Sequence, residues 1–196
     1  RSSTGQPGKA VASRDYLPED VRVPPLSPPS PPVLAAIQAA WSELRKKAHI
    51  LVVLDVSGSM GNSAGSGKTR LELAQTAAVK GLAQLSDADE VGLWTFPGQT
   101  PLVYSEELPV TPLSGQRQRL IDHIQQLIPS GGTPLYAVIR KATEAVRAAA
   151  TPGTINAIVV MTDGKNEYPD DSDLDGLVRQ LADESYEDGV RVFTIA

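Results

Sequence analysis

Residues 49–74 read HILVVLDVSGSMGNSAGSGKTRLELA. HILVVL is a continuous apolar run of the kind that forms a strand covered on both faces. It leads into Asp55, Ser57 and Ser59 at alternate positions, and a glycine-rich stretch then gives way to a helical pattern. An acid at the end of a buried strand can belong to a phosphate loop, a catalytic serine, a phosphorylated aspartate, a metal site or an ordinary turn. Which of these it is decides the fold and most of the function.

The phosphate-loop reading rests on GSGKT, from Gly65 to Thr69. That motif needs a glycine five residues before Gly67, and the position holds Asn62. The loop would also begin well after the strand ends, so its amides could not wrap a phosphate at the strand terminus. Gly65 to Lys68 then read as a flexible tip, with Thr69 capping the next helix. The nucleophile reading uses Ser59, but Ser57 stands where G-x-S-x-G needs its first glycine. A hydrolase of that type wants a histidine after its acid, and the only histidines, His49 and His123, both precede Asp163. An aspartyl-phosphate enzyme would want a second acid two residues past Asp55, and that residue is Ser57, which is no general acid at neutral pH.

A metal accounts for more of the residues. Asp55 with the hydroxyls of Ser57 and Ser59 is a hard, oxygen-only donor set, suited to Mg²⁺ or Mn²⁺ rather than zinc. Asp163 ends a second apolar run, INAIVVMTD, and doubly wound sheets bind ligands beyond the carboxyl ends of their strands where the strand order reverses. Thr133 in SGGTPLY is the fifth candidate, with two glycines that let backbone approach closely. Each residue alone has a plainer reading. Thr133-Pro134 makes a good helix cap, Asp163-Gly164 a turn, and Asp55-Val56-Ser57 a capped strand end. Jointly, three separate segments bring oxygen ligands to one end of a parallel sheet, which favours the metal.

The rest of the chain fits that frame. HILVVL, EVGLWTF, INAIVVM and VRVFTIA read as strands, and LVYSEEL as an edge strand. Four helical faces alternate with them: Leu71, Ala74, Ala78, Leu82 and Leu85; Leu120, Ile121, Ile124, Leu127 and Ile128; Leu135, Val138, Ile139, Ala142 and Val146; Leu174, Leu177, Val178 and Leu181. The alternation predicts an α/β fold, a doubly wound and mainly parallel sheet flanked by helices. Half of the 16 prolines fall in residues 1–32, which read as a linker or an arm laid on a surface. Residues 33–48 read as an amphipathic lead-in helix, with Ser30-Pro31 at its start, and residues 49–196 as the main domain.

The chain has 196 residues, no cysteine and a net charge of −5, which excludes disulfide scaffolds, thiol catalysis and thiolate zinc. One short basic cluster, Arg45-Lys46-Lys47, and an acidic balance argue against nucleic acid or an anionic membrane as partner. No apolar run reaches the roughly 20 residues of a membrane helix. A start at Arg1 and an end on a strand pattern are expected of a segment of a longer protein.

Asp55-Val-Ser57-Gly-Ser59, then Thr133, then Asp163, with the flanks VVLDVSGSMG, TRLELA, VGLWTF, GGTPLY, VVMTDGKN and VRVFTIA, resemble the metal-ion-dependent adhesion site of von Willebrand factor A domains. The resemblance runs from about His49 to Ala196 and is closest to bacterial members that follow an extracytoplasmic solute-binding domain. It implies a Rossmann-like sheet of order 3-2-1-4-5-6, with Asp55 on strand 1 and Asp163 on strand 4. It also implies that this chain ends before the family's final helix, strand and helix. By the same resemblance Ser57 and Ser59 bind Mg²⁺ (or Mn²⁺) directly, Thr133 does so in the high-affinity state, and Asp55 and Asp163 bind directly or through water. The implied function is protein binding and not catalysis, in adhesion or assembly, with a partner's Asp or Glu carboxylate completing the ion's shell. A preceding solute-binding domain, or another chain covering the C-terminal edge, is the other partner so implied. The expected location is extracellular or at the cell surface. The alternatives are a cytoplasmic A-domain subunit of an ATP-driven, chelatase-like machine, and a structural A domain with an unused metal site.

Overall fold

In the computed structural model, residues 27–65, 67–98, 102–182 and 189–196 are described. Residues 1–26 of the expected proline-rich arm lie outside them. The chain falls into two units, one up to Arg45 and one from Lys46 to Ala196.

The first unit carries helix α1 (Pro31–Leu44), which opens after Ser30 with proline in its first turn, although the Ser30 side chain makes no capping bond. Proline suits that turn because its missing amide would have no intrahelical partner. The helix therefore starts two residues before the expected 33–48 span. It ends at Leu44 because Arg45 is already extended.

The second unit alternates strand and helix: β1 (Ala48–Asp55), α2 (Arg70–Leu82), β2 (Glu90–Phe96), β3 (Ser105–Pro112), α3 (Arg117–Gln126), α4 (Leu135–Ala149), β4 (Ile155–Met161), α5 (Leu174–Ala182) and β5 (Arg191–Ile195). The strands form one sheet in the order β3-β2-β1-β4-β5. β1 pairs in parallel with both β2 and β4, β5 is parallel to β4, and only β3 is antiparallel. The direction of travel across the sheet thus reverses between β1 and β4, the place where such sheets open a crevice.

Period-2 alternation divides the strand side chains between two cores. Val52, Leu54, Val91 and Leu93 point to one face and pack with Leu71, Ala78, Leu120 and Ile124 of α2 and α3. Leu51, Val53, Trp94, Phe96, Ile158 and Val160 point to the other, against Val138, Ile139, Ala142 and Val146 of α4 and Leu177 of α5. Both faces are covered, which is why β1 and β4 read as unbroken apolar runs.

The edge strand differs from the expected LVYSEEL, being displaced toward the C-terminus to Ser105–Pro112. Tyr104 instead stacks on Trp94 with ring centroids 3.9 Å apart, and the ladder to β2 begins at Ser105. Pro109 and Pro112 are tolerated because β3 is an edge, and the pairing shifts register around Leu93. Leu85 and Ile128, expected on helical faces, lie past the ends of α2 and α3, and Ile128 is exposed.

Leu93 has no exposed surface and sits in a central strand between β1 and β3. Leu93→Ala is expected to lower stability by about 2–5 kcal/mol, from lost transfer energy plus a cavity. Urea unfolding should show a lower midpoint with an unchanged slope, and a shift below about 0.5 kcal/mol would contradict this packing.

Candidate metal centre

The site is built where β1 and β4 end side by side. Asp55 is the last residue of β1 and has no exposed surface. One carboxylate oxygen accepts the Ser57 amide at 2.7 Å and the other accepts the Thr162 hydroxyl at 2.6 Å. The Ser57 hydroxyl adds a further contact to this carboxylate.

The chain after Asp55 turns sharply into a short 3₁₀ turn over Gly58–Gly61, which places the two serines side by side. Ser57 Oγ and Ser59 Oγ are 3.1 Å apart, and Ser59 Oγ donates to Asp163 Oδ1 at 2.9 Å. Asp163 follows β4 by two residues, and Arg70 Nη1 donates to its other oxygen, Oδ2. Arg70 is the first residue of α2, held by a capping box in which Thr69 and Glu72 exchange side-chain and backbone bonds. Thr69 is thus the cap that the sequence predicted, and Gly65 and Gly67 form the loop before it.

A third segment closes the site. Gly58 N donates to Gly131 O at 3.0 Å, and Ser130 N donates to Val56 O. Gly131 has φ +77°, and a Cβ there would stand 2.6 Å from Pro97 Cγ, so both its conformation and its surroundings require glycine. Thr133 is buried and its carbonyl accepts the Glu167 amide at 2.9 Å. Its side chain stands against the turn after Asp163: a Cβ on Gly164 would lie 3.7 Å from Thr133 Oγ1. Thr133 does not cap α4, because Pro134 takes that position.

All five sequence-predicted residues therefore come to one end of the sheet. Asp55, Ser57, Ser59 and Asp163 are linked through their own hydrogen bonds, and Thr133 packs alongside. Two further residues touch the acids and were not predicted, Thr162 and Arg70. Asn166, three residues past Asp163, accepts from Tyr136 N and donates to Asp171 O. The histidines serve elsewhere, His49 at the opposite end of β1 bonded to Glu90, and His123 in the last turn of α3.

Among the described residues no group of three or more His, Cys, Asp or Glu side chains gathers that could hold a metal. A cation here would have to draw on hydroxyl and water oxygens as well as two carboxylates. Such a set fits Mg²⁺, which is held by one or two carboxylates and keeps several waters.

The organisation so far is that of a doubly wound α/β domain with a polar, oxygen-lined crevice at its topological switch point. Residues 50–165, more than half of the chain, match the family described as von Willebrand factor type A domain, and the chain belongs to that family. None of the curated proteins matches it. Among solved structures it resembles a von Willebrand factor type A protein from Catenulispora acidiphila, with 18% identity, a TM-score of 0.58, and coverage of 77% of this chain and 34% of that one. It also resembles proximal thread matrix protein 1 from the mussel byssus, with 18% identity, a TM-score of 0.57, and coverage of 76% and 37%. A third is the pilus adhesin SpaC from Lactobacillus rhamnosus GG, with 22% identity, a TM-score of 0.50, and coverage of 62% and 16%. The chain thus spans 16% to 37% of the length of these neighbours. At such identities the likeness is one of fold. Among the described residues no helix is long and apolar enough to cross a membrane.

Burial is the strongest influence on Asp55 and pushes its pKa above the ordinary aspartate range, while the hydrogen bonds from Thr162 and Ser57 pull it down. The folded domain then holds this proton more tightly than the unfolded chain does. The resulting stability is complete below the unfolded pKa and is lost as pH rises through the folded one. Asp55→Asn escapes that loss. In chelator-treated protein its melting temperature should gain on the wild type as pH rises through this window, ending equal or higher at neutral pH. A variant that falls further behind as pH rises would contradict the burial cost.

Proposed function

We propose that this domain binds a divalent cation, Mg²⁺ or Mn²⁺, through Asp55, Ser57, Ser59, Thr133 and Asp163, and uses it to recognise a carboxylate on a protein partner. The observation that carries this reading is the chain of hydrogen bonds from Ser57 through Ser59 to Asp163, with Asp55 fixed beneath it. When bound, the cation supplies an electrophilic centre with a water-filled position that an acidic side chain can take.

The residues have distinct tasks. Asp55 provides charge from a position it cannot leave, because both of its oxygens are already engaged. Ser57 and Ser59 supply neutral oxygens, which keep the donor set poor in negative charge and leave the cation attractive to an incoming acid. Asp163 supplies the second charge from the β4 side, and Thr133 a third hydroxyl from the Gly131 loop. Among the described residues no group beside the acids is arranged as a nucleophile with its base, so the reading is a binding module and not an enzyme. A role in adhesion or assembly, outside the cell or at its surface, follows from the same reading. It is in keeping with the adhesin and byssal proteins whose fold the chain shares.

Calorimetric titration of Mg²⁺ and Mn²⁺ into chelator-treated protein is expected to show about one ion per chain. Asp55→Ala should abolish binding, and Thr133→Ala should weaken it while leaving the far-ultraviolet circular dichroism unchanged. Heat-free titrations of a cooperatively folded wild type would remove the reading.

A further inference from the structure

Arg70 Nη1 already holds one carboxylate oxygen of Asp163, Oδ2. We infer that Arg70 is a tethered competitor for the divalent cation, setting the site's affinity and discriminating against monovalent ions; the inference rests on the metal reading above.

The placement of Arg70 is unfavourable for its own helix. It is the first residue of α2, where the helix dipole presents partial positive charge, and a cation there is disfavoured. The pairing with Asp163, 93 residues away in sequence, accounts for the residue where local helix physics does not. The backbone beneath it is fixed, with Arg70 N donating to Asn62 O at 3.0 Å and the capping box on either side. The side chain is therefore free to move only beyond Cβ. It has somewhere to go: its side chain is 43% exposed and can swing into solvent. Asp163, by contrast, is 11% exposed and stays.

The charge count gives the consequence. Asp55 and Asp163 carry two negative charges and Arg70 one positive. A sodium or potassium ion that displaced the guanidinium would replace one unit charge by another and forfeit a charge-assisted hydrogen bond. A divalent ion replaces it with twice the charge, so only divalent ions gain by the exchange. Displaced from Asp163, Arg70 stays tethered at the rim, where it repels the cation and lowers its affinity.

The test is calorimetric titration of Mg²⁺ into chelator-treated wild type, Arg70→Gln and Arg70→Lys, first with a bulky organic ammonium salt and then with sodium at equal ionic strength. Asp55→Ala serves as the control, and a cooperative thermal transition is required of every variant. Arg70→Gln should bind Mg²⁺ more tightly than wild type in the organic salt, by about two- to fivefold, the scale of a half-exposed ion pair. Sodium should weaken Mg²⁺ binding to Arg70→Gln while leaving wild type nearly unchanged, and Arg70→Lys, which keeps the charge, should stay close to wild type. Equal or weaker binding by Arg70→Gln, with wild-type binding intact and lost in Asp55→Ala, would overturn this inference and leave the metal site standing. Equal sodium sensitivity in the two proteins would overturn it too, and no binding in any variant would overturn both readings.

Discussion

A carboxylate with no exposed surface stands where two parallel strands end, and the surrounding loops are arranged about it. Asp55 takes a hydrogen bond from its own loop, through the Ser57 amide, and another from the β4 terminus, through the Thr162 hydroxyl. The second of those bonds ties the ends of β1 and β4 together at the point where the sheet reverses direction. A buried acid of this kind costs stability unless its charge is answered. The fold tolerates it because the rest of the sheet is heavily apolar, with Leu51, Val53, Leu54, Ile158 and Val160 packed into helices on both sides. A strained electrostatic position is thus held by ordinary packing.

Around that acid the loops are locked mostly through backbone. Gly58 and Ser130 amides bind carbonyls across the gap between the serine turn and the Gly131 loop, and the Glu167 amide binds the Thr133 carbonyl. Backbone bonds between loops fix where side-chain oxygens can be without using those oxygens up. Ser57, Ser59 and Thr133 consequently keep capacity for a further partner, which is the physical meaning of preorganisation at this site.

Much of this was legible in the residues. HILVVL and INAIVVM carry no alternation, so they had to be covered on both faces, and an acid after such a run has few places to be except a crevice. Thr69 ahead of a helical pattern announces its cap directly, and the structure adds Glu72 as the other half of a capping box. What escaped was set by distance in sequence or by ambiguity of type. Arg70 reads as an ordinary first-turn residue until Asp163 is brought to it from 93 positions away. Thr162 reads as the end of a β-rich run, and only the register of β1 against β4 aims its hydroxyl at Asp55. Thr133 offers the grammar of a helix cap, and the structure assigns that position to Pro134 instead. The β3 boundary slipped because prolines and a register shift rewrite the simple alternation that the sequence suggested.

The prolines of β3 have a consequence for how the sheet can grow. Pro109 and Pro112 remove amide donors from the outer strand on that side, and a strand without its full row of donors makes a poor template for a neighbour. The β5 side, Arg191–Ile195, contains no proline and lies next to the straightforward parallel ladder of β4. The β3 side is thus the side of this sheet least suited to main-chain pairing with another chain.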